Sequence, residues 1–497
     1  MLASEAGDPG SNPGGAMEPP AGSTPPAPNR KLRNKKMPEE KEIDTPRIKE
    51  LKYKSRKDNI KAGIFSSAKS SFGDNFLSPF AIALNASNSL VALLTAISGI
   101  LGPLSQMFGS RLMEKYSRRK IIVRSIFVEF LWWIPFIAIA ILYSTGIMRN
   151  TLALIFSLFF AFYIITANIA TPAWFSWTGD IVAERYRGRW FSKRSLLIGF
   201  VSIILSLLAS LILDNFTKMN LMMLGFIILF ALALISRVIS WNFYRREYEP
   251  KAEFSKENYF SFVDFILKVK STNFGRFSIF TALLNLAVSI ASPLFIVYML
   301  RDLHFSYFIY MVITLAGTVF SLLVMELWGK IADKYGNYFV LYATGILIPF
   351  VPILWIFSAS PIYLIFVPTL INGIAWAGFN LASNNFVYDN VRPEKRGLAI
   401  SYFNMLTGIG IFVGALIGAF LINFLTIDFL SPILFIFIIS GVLMMTVIVI
   451  FLPIIREARE IKGRKEKVRT LIFKQFKPAV LGEVHEIMSL RKFFKNK

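Results

Sequence analysis

Apolar runs of nearly constant length fill the chain from about Gly63 to Pro453. Each run is close to the roughly 20 residues that a helix needs to cross a bilayer. Short polar stretches separate the runs, and this pattern predicts an all-α membrane protein with twelve transmembrane helices. The predicted spans, numbered one to twelve, are residues 63–86, 88–109, 121–143, 151–179, 191–213, 218–243, 273–300, 306–328, 338–358, 361–388, 397–424 and 430–455.

Two short segments that mix acidic and basic residues recur between these spans. One runs from Ser110 to Lys120 after the second span, and the other from Gly329 to Gly336 after the eighth. Asp180 after the fourth span and Asp389 after the tenth each precede an Arg-Gly pair at the same spacing. The order is the same in both halves, so the twelve helices divide into two sets of six. Internal repeats of this kind are typical of transporters, in which two bundles move against each other around a central site.

The repeated segments resemble the signature of the major facilitator superfamily, Gly-x-Leu-x-Asp-Arg-x-Gly-Arg-Arg between its second and third helices. The matching positions are Leu112, Glu114, Lys115, Arg118 and Arg119 in the first copy, and Gly329, Asp333, Lys334 and Gly336 in the second. Ser110 and Ser117 stand where the family has glycine, and Asn337-Tyr338 replace the arginine pair. The resemblance covers residues 63–455 and is to prokaryotic-type members. It implies two pseudo-symmetric six-helix bundles and alternating access, and assigns neither subfamily nor substrate.

By this resemblance, charges at the helix ends are gating groups that pair in one conformation and separate in the other. The candidates are Glu114, Lys115, Arg118, Arg119, Asp180, Gly329, Asp333, Lys334 and Asp389. The alternative is that they are solvated loop charges, in which case each pair contributes about 0–1 kcal/mol.

Basic residues are concentrated on one side of the predicted membrane. The chain has 54 Lys and Arg against 31 Asp and Glu, a formal net charge of +23. The six loops on the other side of the membrane have only three basic residues, Arg149, Lys218 and Arg301. This asymmetry predicts a multi-pass protein of the cell membrane with both termini in the cytoplasm. It also accounts for the basic charge without a nucleic-acid partner, and the basic clusters are suited to contact anionic membrane lipids.

Composition and the predicted spans divide the chain into five segments. Residues 1–58 are rich in Pro, Gly, Ser and charge and are predicted to be a disordered cytoplasmic tail. Residues 59–244 form the first bundle, and 245–272 a cytoplasmic linker with an amphipathic segment. Residues 273–455 form the second bundle, and 456–497 a basic cytoplasmic tail. The protein is expected to be a monomer.

Polar residues within the spans follow helical spacing. The first span carries the most polar stripe, the tenth has three asparagines and a tryptophan at intervals of four residues, and the fourth and seventh carry weaker stripes. In the resembled family these four helices line the cavity, although such residues can also be polar contacts between packed helices. The predicted cavity residues are Ser71, Ser78, Asn85, Asn168, Trp174, Asn285, Ser289, Asn372, Trp376, Asn380 and Asn384.

Asp74, near the middle of the first span with no adjacent cation, is the predicted coupling group, because a membrane carboxyl can take up and release a proton. Glu129 in the third span is a second candidate. Lys69 and Arg237 lie nearer the basic ends of their spans and are expected to extend to the membrane surface; Lys69 could instead bind an anionic substrate.

No cofactor, metal or catalytic site is expected. The chain has no cysteine, two histidines and no Walker-type phosphate loop. The sequence thus predicts a secondary active transporter, not an enzyme, that moves a small organic solute by alternating access with protons. The alternatives are efflux of drugs or metabolites by proton antiport, and a transporter-like sensor or scaffold.

Overall fold

The computed structural model describes residues 45–250, 262–392, 396–425 and 430–458. Across these ranges the secondary structure is helical, without strands. Residues 1–44 and 459–497 of the predicted tails, and residues 251–261 of the predicted linker, lie outside the described residues. Eleven of the described helices are long and apolar enough to cross a membrane. They follow a first helix, α1 (Pro46–Phe72), which is not one of the eleven. The eleven are α2 (Asn88–Leu112), α3 (Arg118–Ser144), α4 (Arg149–Ile181), α5 (Arg187–Lys218), α6 (Met222–Arg246), α7 (Asn273–Asp302), α8 (Tyr307–Tyr335), α9 (Asn337–Leu354), α10 (Pro361–Asn390), α11 (Arg396–Phe424) and α12 (Pro432–Ile454).

The first predicted span is a broken helix. α1 is followed by a 3-10 turn, Asp74–Phe76, and a short helix, Leu77–Ala83. Its start differs from the prediction, because residues 46–58 are helical although they were assigned to the disordered tail. Ser55 in this stretch and Asn59 directly after it are buried, and such tertiary contacts stabilise a helix that composition alone does not predict.

The helix ends define two sides of the molecule. The terminal side carries the start of α1 and the ends of α2, α4, α6, α8, α10 and α12. The far side carries the opposite helix ends, including the turns 84–87 and 303–306. α2 packs extensively against α11 and α5 against α8, so these pairs join the two halves. A short linker helix, Phe262–Lys268, precedes α7 and buries Phe265 in the second half.

The apolar core is shared between the halves at the far side. One cluster of buried side chains contains Phe80 and Phe226 of the first half together with Leu294 and Phe437 of the second. At the terminal side, the clusters of the described residues are separate, with Trp177 in one and Phe277 in another. The halves are therefore closed against each other at the far side.

Three glycines of α11 form the contact with α7. An added Cβ would lie 2.2 Å from the carbonyl oxygen of Ala282 at Gly410, 2.1 Å from that of Leu286 at Gly414 and 2.3 Å from that of Ile290 at Gly418. The small-residue spacing in this span predicts close packing of α11 on a neighbouring helix, and the structure confirms it.

Gly414→Ala is expected to lower the thermal stability of the detergent-purified protein, by an amount equivalent to roughly 1–3 kcal/mol, because the backbone of α7 must move. Gly199→Ala in α5 is the matched control, since an added Cβ there meets nothing within 4 Å and alanine favours a helix by up to about 1 kcal/mol. Equal melting temperatures for Gly414→Ala and wild type would contradict the close packing.

Candidate functional site

Four charged side chains form one buried network inside the first half. The Lys69 ammonium on α1 lies 2.8 Å from a carboxylate oxygen of Asp74 and 3.1 Å from one of Glu129 on α3. Arg237 on α6 pairs with the other oxygen of Glu129. The side chains of Glu129, Lys69 and Arg237 are 1%, 8% and 11% exposed, and that of Asp74 is 30% exposed. Two acids balance two bases, as burial in a membrane protein requires.

The break in α1 places Asp74 in this network. Gly73 lets the indole of Trp133 pack where a Cβ would lie, at 2.1 Å, and the 3-10 turn that follows begins with Asp74. Tyr163 of α4 donates a hydrogen bond to Asp74, and Ser70 donates one at 2.7 Å. The Lys69 ammonium also donates to the Tyr163 hydroxyl at 3.2 Å. The oxygens of Asp74 are thus bound by three side chains, although Asp74 is the more exposed of the two acids of the network.

Two expectations about these charges are wrong. Lys69 and Arg237 do not extend to the membrane surface, and Asp74 does have a cation beside it. In a regular helix, side-chain neighbours are three or four residues apart, and Lys69 and Asp74 are five apart. The turn after Phe72 changes that geometry. The available signal was that the charged residues lying at least six positions inside a predicted span of the first half are two acids and two bases: Lys69, Asp74, Glu129 and Arg237.

The predicted cavity residues of the first span do not share one environment. Some bond to neighbouring helices, and one is half-buried. Ser71 is fully buried and bonds the hydroxyl and carbonyl of Ser202 on α5. Asn85 is exposed in the far-side turn and donates to the Tyr143 hydroxyl at 2.8 Å. Both assignments to the cavity are corrected, because Ser71 joins two helices and Asn85 lies beyond the helix. Ser78 is half-buried.

Asn168 and Trp174 stand on α4. Asn168 is half-buried and accepts a hydrogen bond from Gln106 of α2 at 3.2 Å. Trp174 lies nearer the terminal side, where the guanidinium of Arg194 stacks 4.8 Å from its ring centre. Trp174 therefore belongs to the packing between α4 and α5.

In the second half the predicted stripe opens progressively toward the terminal side. On α10, Asn372 and Trp376 are half-buried, and Asn380 and Asn384 are exposed. On α7, Asn285 is half-buried and donates to the Thr281 carbonyl. Ser289 is 4% exposed and lies within the helix packing, which corrects its assignment to the cavity. The other predicted cavity residues of the second half, on α7 and α10, are neutral amides and one indole.

Asp180 and Asp389, the acids of the repeated segments that end in Arg-Gly, have partners at equivalent positions of the two halves. Arg118, 1% exposed, lies 2.5 Å from Asp180 and donates to the Ser176 hydroxyl at 3.1 Å. In the second half Asn337, at the position equivalent to Arg118, donates to Asp389 at 2.8 Å. Each acid, at the end of an even-numbered helix, is thus bound to the start of the preceding odd-numbered helix within its own half. An ion pair in the first half corresponds to a neutral-donor bond in the second.

The other gating candidates lie at the surface of the terminal side. Glu114, Lys115 and Arg119 are exposed, and Arg119 donates to the carbonyl of Arg245. Asp333 and Lys334 are also exposed. A Cβ at Gly329 would meet nothing within 4 Å, so packing does not require glycine there.

Arg118→Ala is expected to reduce stability by about 1–3 kcal/mol, because it removes charge-assisted hydrogen bonds from a buried donor. Thermal unfolding in detergent measures this loss. Lys120→Ala changes an exposed cation on the same helix turn and is expected to stay within about 0.5 kcal/mol of wild type. Similar melting temperatures for the two variants would show that the Arg118 contacts are not stabilising.

Hydrogen bonds join the halves at the far side, through residues that the sequence did not single out for this role. The Arg301 guanidinium donates to the Asn88 side chain at 2.6 Å. Asp214 at the end of α5 accepts from the backbone N–H of Tyr307 at 2.7 Å. Ser89 donates to Asn423 of α11 at 2.8 Å. These bonds agree with the shared core in placing the closed contact at the far side.

Solved structures with this fold include several transporters. Nucleoside transporter NupG aligns with a TM-score of 0.59 at 14% identity, covering 81% of this chain and 98% of that chain. A bacterial homologue of the iron transporter ferroportin, in an inward-facing state, has a TM-score of 0.60 at 13% identity over 81% and 98%. The D-xylose-proton symporter has a TM-score of 0.59 at 13% identity over 84% and 99%.

No relative was found among curated protein sequences. The sequence profile of the Major Facilitator Superfamily matches residues 63–273 and 277–497. Because the profile spans both six-helix halves, the chain belongs to the Major Facilitator Superfamily.

Proposed function

We propose that this protein is a secondary active transporter that moves a small, neutral organic solute together with protons by alternating access. The observation that carries this proposal is the buried network of Lys69, Asp74, Glu129 and Arg237. Buried ionisable groups in a membrane are costly and mark ion and proton pathways. Asp74 is the proton-accepting member, because it is the more exposed of the two acids.

The solute site is formed by the neutral face of the second half. Asn372, Trp376, Asn380 and Asn384 follow one stripe of α10, beside the half-buried Asn285 of α7. Amides donate and accept hydrogen bonds with hydroxyl or carbonyl groups, and an indole stacks on apolar rings. A sugar, nucleoside or similar uncharged metabolite fits these side chains. Two of the neighbours by fold are named for uncharged solutes of this kind, a nucleoside and D-xylose, and this supports the choice.

The same geometry supports a proposal about the side of the membrane to which this conformation opens. The bonds of Arg301, Asp214 and Ser89 close the far side, and α10 is exposed toward the terminal side. The protein acts as a monomer in the cell membrane with both termini in the cytoplasm, so this conformation opens to the cytoplasm.

Flux into proteoliposomes tests the proposal. Purified protein is reconstituted, an inwardly directed proton gradient is imposed, and uptake of radiolabelled sugars and nucleosides is followed. Saturable accumulation that collapses with a protonophore supports proton-coupled transport of that solute. Accumulation of cationic drugs driven by the opposite gradient would replace it with efflux. Ligand-induced stabilisation without flux of any solute would favour a sensor.

A further inference from the structure

Residues 247–250, which begin the connection between the halves and which we term the linker strap, are bound to three helices of the first half. The N–H of Tyr248 donates to the Ser55 hydroxyl on α1 at 2.7 Å. The Trp177 indole on α4 donates to the Tyr248 carbonyl at 2.9 Å. Arg118 on α3 donates to the Pro250 carbonyl at 2.7 Å. The strap therefore lies against the terminal side of the first half.

The first residue of the strap makes an incomplete side-chain pair with α1. Glu247 and Asn59 are each 1% exposed, and the Asn59 amide donates to Oε2 of Glu247 at 3.2 Å. The other two oxygens of the pair, Oε1 of Glu247 and Oδ1 of Asn59, are buried without a hydrogen-bond partner in the described structure. Two buried acceptors without donors destabilise a protein. A proton on Oε1 supplies a donor, and an acid and an amide can then form two reciprocal hydrogen bonds.

The groups around Glu247 do not compensate a negative charge fully. Asp58 on α1 repels an ionised carboxylate, while Arg194 on α5 and Arg119 on α3 favour it. Tyr244 on α6 and Thr178 on α4 are uncharged neighbours of the pair. Burial is the largest effect, and it raises the pKa of Glu247 to about 8.

We propose that Glu247 is a proton-binding site separate from the Lys69 network, and that its protonated carboxyl fastens the linker strap to Asn59 of α1. Ionisation leaves a buried carboxylate beside the unpaired amide oxygen and weakens the attachment of the strap. The start of the connection between the halves is thereby sensitive to pH on the terminal side. This site does not depend on the solute or on transport.

The sign of the pH dependence follows from linkage. The pKa of Glu247 in the folded state, about 8, is above the ordinary value of 4.5. The folded protein therefore holds more protons than the unfolded chain between these values. The stabilising effect is complete below pH 4.5 and is lost as the pH rises through about 8.

The experiment compares melting temperatures of the purified full-length protein at several pH values from 6 to 9. Glu247→Gln keeps a permanent donor in place of the protonated acid. The wild type is expected to lose several degrees over this interval, and Glu247→Gln is expected to lose much less. Glu326→Gln, a change at an exposed acid of α8, should retain the loss seen in wild type. An equal loss in Glu247→Gln and wild type overturns the proposal.

Infrared difference spectroscopy provides an independent measurement on the wild type with isotope-labelled glutamate. The carboxylic acid C=O band of a glutamate is expected at pH 6 and should disappear as the pH passes about 8. If Glu247→Gln folds, it should lack this band. Absence of any glutamic acid band at pH 6 would overturn the proposal even if the variant does not fold.

Discussion

Asp74→Asn is expected to abolish proton-driven solute accumulation while leaving exchange of solute across the membrane. Asparagine keeps the size of the side chain but cannot bind and release a proton. Asp74 is bound by Lys69, Ser70 and Tyr163, and an amide oxygen can still accept from them. Solute binding on the second half should therefore be retained. Accumulation and counterflow are measured in the same proteoliposome preparations.

The control for this variant is Glu326→Gln, which neutralises a carboxyl that is 85% exposed and makes only a 3.7 Å pair with Lys330. It should accumulate solute like the wild type. Accumulation by Asp74→Asn equal to that of the control would remove Asp74 from the coupling role. Loss of both accumulation and counterflow would instead indicate that Asp74 is needed for binding or movement.

Lys69→Met is expected to destabilise the protein by about 3–5 kcal/mol, because removal of one member of a buried charge network leaves an uncompensated charge. Asp74 and Glu129 would then face Arg237 alone. The double variant Lys69→Met with Asp74→Asn leaves one acid and one base, Glu129 and Arg237, and should recover most of the loss. Melting temperature and the amount of monodisperse protein measure both effects.

Lys330→Met is the matched control for the loss of a lysine. The Lys330 side chain is 61% exposed and its pair with Glu326 is a surface contact within one helix, so the change should cost less than about 1 kcal/mol. If the double variant is as unstable as the single one, the cost comes from lost packing of the lysine chain and not from charge imbalance.

The part of the fold that was predictable from sequence is the part governed by the bilayer. Runs of about 20 apolar residues must form helices, because backbone groups in lipid have no other partners. The glycine face of α11 and the repeated Asp180 and Asp389 segments were readable for a similar reason, since both depend on local spacing along one helix or turn.

The site was predicted less completely. Asp74 and Glu129 were identified as intramembrane acids, but their cations were misplaced, because pairing between α1, α3 and α6 depends on how these helices pack. Ser71, Asn85 and Ser289 matched the helical spacing of a cavity stripe and yet serve other contacts. Helical periodicity identifies a face; it does not identify what that face meets.

The sequence by itself determined the membrane class, the two repeated halves and the acids that need partners, since each follows from the cost of placing polar groups in lipid. The tertiary structure decided which charges neutralise one another, which side of the molecule is closed and where the linker strap binds. Those features depend on contacts between residues far apart in the chain, such as Asn59 with Glu247 and Asn88 with Arg301. Distances between such residues are set only when the helices pack.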